Sequence, residues 1–169
     1  MGSRRLVTVL VVAMASFGVT GCDDDEPALP EGGEDYALEV EEITDAASEE
    51  VEVALRTLNR LVNGGVDAPE AAKRLDEASA ATQDLASRLA DLSPPEAASG
   101  SAADLGGTLT DLARALDSAA IDARTIERGI STPAQVGRTH AQVVLAYGSG
   151  VGALSRAVRA LAVAPAPAS

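Results

Sequence analysis

The chain has 169 residues, room for one domain and little more. Its hydrophobic fraction is 46%, yet aromatics make up 2% and tryptophan is absent, which favours Ala- and Leu-rich helices over a β-sandwich or barrel. A net charge of −13 with no basic cluster to collect phosphates excludes nucleic acid as a partner.

Gly2-Ser3-Arg4-Arg5 is a short, positively charged start. Leu6 to Val19 is then apolar apart from Thr8 and Ser16, about fourteen residues. That length suits the core of a secretion signal and falls short of the roughly 20 residues a membrane-spanning helix needs. The segment ends in Val19-Thr20-Gly21-Cys22. An aliphatic residue, two small residues and a cysteine in that order resemble the bacterial lipobox. The resemblance implies cleavage before Cys22 and diacylglycerol and acyl groups on Cys22. It also implies a location outside the cytoplasm, anchored to the bacterial membrane in the cell envelope.

Cys22 is the only cysteine, so no intrachain disulfide can form. Two acyl chains suffice as an anchor, since each buried methylene contributes about 0.8 kcal/mol. Ser3-Arg4-Arg5 resembles the opening of a twin-arginine export motif, but Val7 and Thr8 depart from its usual Phe-Leu, so general secretion is expected. Asp23 resembles the inner-membrane retention signal of enteric bacteria. Removing residues 1–21 takes away Arg4 and Arg5 and no acid, leaving 11 basic residues against 26 acidic ones, a net −15.

Residues 22–33 follow as an acidic segment with Pro27, Pro30 and Gly32-Gly33. It holds too little apolar surface to fold and reads as a flexible tether. The acidic run Asp23-Asp24-Asp25-Glu26 lacks the glycine and ligand spacing of an EF-hand loop, so it reads as a solvated charge run. Beside a membrane it would hold the domain off anionic headgroups.

Four helical segments are expected over residues 34–163, in an all-α, antiparallel up-down-up-down four-helix bundle. The first, about 34–62, carries Tyr36, Val40, Ile43, Ala47, Val51, Ala54, Leu58 and Leu61 at spacings of three and four, which keeps them on one face. Asn63-Gly64-Gly65 stops it. The second, about 68–92, opens at Asp67-Ala68-Pro69-Glu70 with a capping side chain and an early proline. Its face is Leu75, Ala78, Thr82, Leu85, Leu89 and Leu92.

The third, about 94–128, begins at Ser93-Pro94-Pro95-Glu96, the pattern of a capping box. Its stripe is Ala98, Ala102, Leu105, Leu109, Leu112, Leu116, Ala119, Ala123 and Ile126. Gly100 and Gly106-Gly107 weaken its first turns by about 1 kcal/mol each and leave open a break or kink near Gly100. Gly129 ends it. The fourth, about 133–163, starts at Thr132-Pro133-Ala134-Gln135, a second capping box. Its stripe is Val136, His140, Val143, Tyr147, Val151, Leu154, Val158 and Leu161. Residues 164–169 read as a disordered tail.

Charge suggests which helices are neighbours. Residues 23–52 hold fourteen acids and no base, whereas residues 128–169 hold four arginines and no acid. In an antiparallel bundle Arg156 and Arg159 then face Glu39, Glu41 or Glu42, and each set complements its helix dipole.

Little in the chain points to catalysis. His140 is the sole histidine and shares a stripe with Tyr147, so together they are the candidate ligand contacts. A haem site would need a second axial ligand and a di-iron site Glu-x-x-His pairs; the mature chain has no methionine and no other histidine, and offers neither. His140 therefore reads first as a core or boundary histidine with its ring N–H satisfied. Gly148-Ser149-Gly150 lacks the strand-turn-helix setting of a nucleophile elbow. Gly148, Gly150 and Gly152 read as close-packing positions against the first or third helix. No catalytic residue, metal site or cofactor is expected. The chain reads as a non-enzymatic interaction module that binds another envelope protein. The alternative is a small-ligand or metal-binding lipoprotein with a cleft near His140 and Tyr147.

Overall fold

The computed structural model describes residues 32–165. Signal segment, Cys22 and most of the acidic tether lie outside them, as does the end of the tail. Four α-helices follow one another: α1 (Gly33–Val62), α2 (Ala68–Asp91), α3 (Ser99–Thr125) and α4 (Pro133–Ala162), with one 3-10 turn at Glu96–Ala98. Among the described residues there is no strand.

The helix ends show why these segments start and stop where they do. Gly32 precedes α1 with φ of 75°, a left-handed conformation open to glycine, and its carbonyl accepts from the Tyr36 amide at 3.0 Å. Glu34 and Asp35 in the first turn complement the helix dipole. At the other end Gly64 takes φ of 68° and the Gly65 amide reaches back to the Arg60 carbonyl at 2.8 Å. Asp67 caps α2 by accepting from the Glu70 amide at 2.8 Å. The expected capping box at α4 forms in full: Thr132 Oγ1 accepts from the Gln135 amide at 3.3 Å, and Gln135 Oε1 accepts from the Thr132 amide at 3.1 Å.

The expected box at Ser93–Glu96 does not form. Pro95 precedes the 3-10 turn in an extended conformation with no side-chain cap. Two consecutive prolines hold residues 93 and 94 away from helical ψ, so the chain can enter the helix only after Pro95. The 3-10 turn runs straight into α3 at Ser99, and Gly100, Gly106 and Gly107 all lie within α3, so the break left open near Gly100 is absent. The third helix is correspondingly shorter than expected, ending at Thr125 ahead of the Gly129 turn.

Packing is square. Each helix lies beside its neighbour in sequence, α4 closes the ring against α1, and the diagonal pairs barely touch. Named contacts establish the antiparallel register of α1 with α4 and of α2 with α3. Along α1 and α4, the pairs Leu58–Gly137, Val51–Gly148, Thr44–Ser155 and Glu41–Arg159 run in opposite senses. Ser79 donates to the Ala113 carbonyl at 2.8 Å between α2 and α3, and Gly106 lies near Leu89. Asp122 meets His140 between α3 and α4.

All eight residues of the expected α1 stripe are buried. So are the α2 stripe through Leu89 and the α3 stripe through Ala123, while Leu92 and Ile126 are half-buried at the helix ends. In α4 the expected face holds at Val136, His140, Val151 and Val158, which are buried, but it is turned in part: Val144, Ser155 and Ala162 are buried as well, Tyr147, Leu154 and Leu161 are half-buried, and Val143 is exposed. The cause is Gly137 and Gly148. Both face α1, and their missing side chains let α4 roll towards it, which carries Val143 out of the core. Polar Ser155 is accommodated because it donates to Thr44 Oγ1 at 3.0 Å, and Thr44 in turn donates to the Val40 carbonyl at 2.9 Å.

The expected cross-helix charge pairing holds in part. Arg159 pairs with Glu41 at 3.0 Å. Glu39 and Glu42 are reached by Arg88 of α2, at 4.0 and 3.2 Å, and not by Arg156. Exposed pairs of this kind contribute about 0–1 kcal/mol each. They mark the register more than they hold the fold.

Glu50 is half-buried beside the α1 stripe, and burial together with the neighbouring Glu49 raises its carboxyl above the usual range. A raised folded-state value favours folding at low pH, and that contribution is lost as pH rises through the carboxylate range. Glu50→Gln is therefore expected to raise the urea midpoint near about pH 7 and to leave it unchanged below about pH 4. Parallel urea melts at the two pH values check this, and a variant less stable at neutral pH contradicts it.

Candidate functional site

His140 lies in α4, one turn after Val136, and is 8% exposed. Its Nε2 is 2.8 Å from Asp122 Oδ2 on α3. An ionised carboxylate only accepts, so Nε2 carries the proton and donates it. The ring is thus held by a single directed bond at the α3–α4 seam. Asp122 is half-exposed and can take further bonds from water. The carboxylate is eighteen residues away in sequence, and only the antiparallel return of α4 brings the two together.

Tyr147, seven residues further along α4, is half-buried. At 1.5 Å rise per residue the two side chains sit roughly 10 Å apart along the axis. They do not converge on one point. Neither lines the cavities between α2 and α3 described below. Among the described residues no group of three or more His, Cys, Asp or Glu side chains gathers in a geometry that could hold a metal ion. Cys22 and the Val19-Thr20-Gly21 motif lie outside the described residues, and no described helix is long and apolar enough to cross a membrane.

Two concavities open along the α2–α3 seam. One, of about 410 Å³, is a polar surface groove lined by Asp76, Gln83, Thr110, Arg114 and Asp117 among others. Of its charged side chains, Arg114 pairs with Asp111 and Asp76 with Arg124.

The second, of about 280 Å³, lies at the end of the bundle where α1 begins, α2 ends and α3 begins. Tyr36, Leu89, Leu92, Pro94 and Ala102 form most of its apolar wall, and Gly106 leaves its floor open. Tyr36 is 6% exposed, and its hydroxyl is buried with no hydrogen-bond partner among the described residues. Burial pushes its phenol above the usual range, so it stays a neutral donor at physiological pH.

Sequence periodicity placed Tyr36 correctly on the core face but not beside a cavity. The available signal was its residue type: a tyrosine on a core stripe brings a hydroxyl that needs a partner. Gly137 carries no comparable signal, because it stands alone between Val136 and Arg138 and nothing in its neighbours marks it as a contact with α1. Of the three glycines singled out, Gly148 does pack on Val51 of α1 and Gly150 approaches Thr108 of α3, while Gly152 meets no neighbouring helix.

Comparison with known protein families, curated proteins and solved structures finds no match to any of them.

Proposed function

We propose that this chain is a membrane-anchored extracytoplasmic lipoprotein whose helical bundle is a non-enzymatic interaction module for another envelope protein. The observation that carries it is the run Val19-Thr20-Gly21-Cys22 at the end of a charged-then-apolar leader, in a chain with no other cysteine. Cys22 precedes the first described residue of the bundle by ten positions, enough chain for a short tether. His140 is already engaged by Asp122 at the α3–α4 seam, which supports a structural place for it within a binding module.

Cys22→Ala is expected to move the protein from the membrane fraction to the medium or the periplasm. Fractionation of cells by centrifugation, with radiolabelled palmitate incorporation read in parallel, checks this. A variant that stays membrane-bound and unlabelled would remove the anchor. Chemical crosslinking on intact cells, with the wild-type chain as bait, should then capture an envelope protein in a Cys22-dependent way.

A further inference from the structure

α1 and α4 share one long flank of the bundle, and their outer faces carry opposite charge. From residue 32 to residue 55 the chain bears acids and no base, whereas from Arg128 to residue 165 it bears arginines and no acid. Within the bundle Arg159 and Glu41 pair across this seam at 3.0 Å. Arg156 is exposed and meets no acid among the described residues, and its guanidinium lies back over Gly152 of its own helix. Asp45 is exposed on α1 and meets no base among the described residues. On α2 and α3 the bases are already paired: Lys73, Arg74, Arg88, Arg114 and Arg124 each meet an acid.

The unmatched charges stand in register. Leu38, Asp45 and Glu52 follow one another at spacings of seven on α1, and Leu145, Gly152, Arg156 and Val163 at seven, four and seven on α4. Such spacings keep each set in one line along its helix. Both lines run just outside the seam, Asp45 one turn after Glu41 and Gly152 one turn after Gly148, which packs on Val51 of α1. Leu38, Leu145 and Val163 are exposed. Glu41 lies level with Arg159 and Thr44 with Ser155, so Asp45 sits at the height of Arg156, and Leu38 at that of Val163.

We propose that a second copy of this chain docks on this flank, across a two-fold axis parallel to the helices, so that α1 of each copy packs on α4 of the other. Such an axis keeps every residue at its own height. It therefore sets Arg156 of one copy opposite Asp45 of the other and Val163 opposite Leu38, each contact made twice. Gly152 leaves the α4 backbone open to close approach, since a Cβ there would meet only Arg156 of the same helix. The area suffices: two helices of thirty residues present roughly 45 Å by 20 Å, against about 800 Å² per partner in a standard interface. The direction of the axis rests on the anchor proposed above. Both Cys22 tethers then leave one end of the dimer and reach one membrane, whereas a two-fold across the helices would send them to opposite ends.

Analytical ultracentrifugation over a concentration series tests this, on the chain extracted from membranes in detergent and on Cys22→Ala in buffer. Both are expected to dimerise reversibly. Arg156→Asp and Asp45→Arg should each weaken the dimer by at least about tenfold, and the two combined should return it to within about threefold of the wild type. General repulsion between acidic copies gives the opposite sign at one site, because Asp45→Arg lowers the negative charge and would then strengthen association. Either preparation remaining monomeric at every concentration overturns the dimer. So does Asp45→Arg associating as well as the wild type, or a combined variant no better than its parents. Retention of Cys22→Ala in the membrane fraction would instead sink the anchor, and with it the axis direction, while the extracted chain still reports the Arg156–Asp45 contact.

Discussion

Leu109→Ala is expected to destabilise the bundle by about 2–5 kcal/mol, the largest effect of any single truncation considered. Leu109 is fully buried in the middle of α3, as are Leu105, Leu112 and Leu116 on the same stripe. The rest of the core is small: Ala47, Ala54, Ala78, Ala119 and Ala120 contribute single methyl groups. In such a core the leucines of α3 supply much of the apolar volume, and short neighbours cannot swing in to fill a gap. The cost therefore falls towards the upper part of the range. Against a total stability of about 5–15 kcal/mol, this is enough to populate the unfolded chain. Urea denaturation followed by far-UV circular dichroism measures it. Leu38→Ala serves as reference, since Leu38 is 65% exposed and its truncation should change stability by no more than about 0.5 kcal/mol. Equal midpoints for the two variants would refute the core described here.

The second large effect is expected at a residue with no side chain. Gly137→Ala should cost about 1–3 kcal/mol even though alanine is the better helix former by about 1 kcal/mol. A Cβ at position 137 would overlap the Val62 Cγ2 methyl and stand 2.9 Å from the Leu58 carbonyl oxygen. The methyl can rotate away, but the carbonyl belongs to the α1 backbone, so the helices must part along their most intimate contact. Gly137→Ala combined with Val62→Ala is accordingly expected to recover only part of the loss. Gly107 supplies the contrast: it is also within a helix and nothing stands within 4 Å of its Cβ position. Gly107→Ala should therefore stabilise by about 0.5–1 kcal/mol, from helix propensity alone. Chemical denaturation of the variants as a set distinguishes a clash from a propensity effect. If Gly137→Ala proved as benign as Gly107→Ala, the α1–α4 approach would be looser than the structure has it.

Both results bear on what makes this bundle. Its long interfaces are built from small residues, so close backbone approach replaces side-chain bulk. Buried hydroxyl pairs such as Thr44–Ser155 then set the register of helices whose alanine faces would otherwise slide. The same slenderness leaves a concavity at the end of the bundle, lined by Tyr36, Leu89, Leu92 and Ala102.

Much of this architecture is determined locally, and local determinants are legible in a sequence. The α1 stripe follows from a three-four spacing of apolar residues, and each helix end depends on a cap, proline or glycine within a few positions. Where local rules compete, the reading fails. At Ser93 the capping-box pattern loses to two prolines, which deny helical ψ to the residues before them. Three properties depend on which helix lies opposite and how closely. Val143 is exposed because α4 rolls onto α1 at Gly137 and Gly148. His140 is satisfied by a carboxylate eighteen residues away that only the antiparallel return brings within 2.8 Å. Tyr36 is buried where α1 begins, and its hydroxyl finds no hydrogen-bond partner among the described residues. Periodicity and capping chemistry determine elements and their order. The distance between two backbones is a sum over both surfaces, so it is decided only when the helices pack.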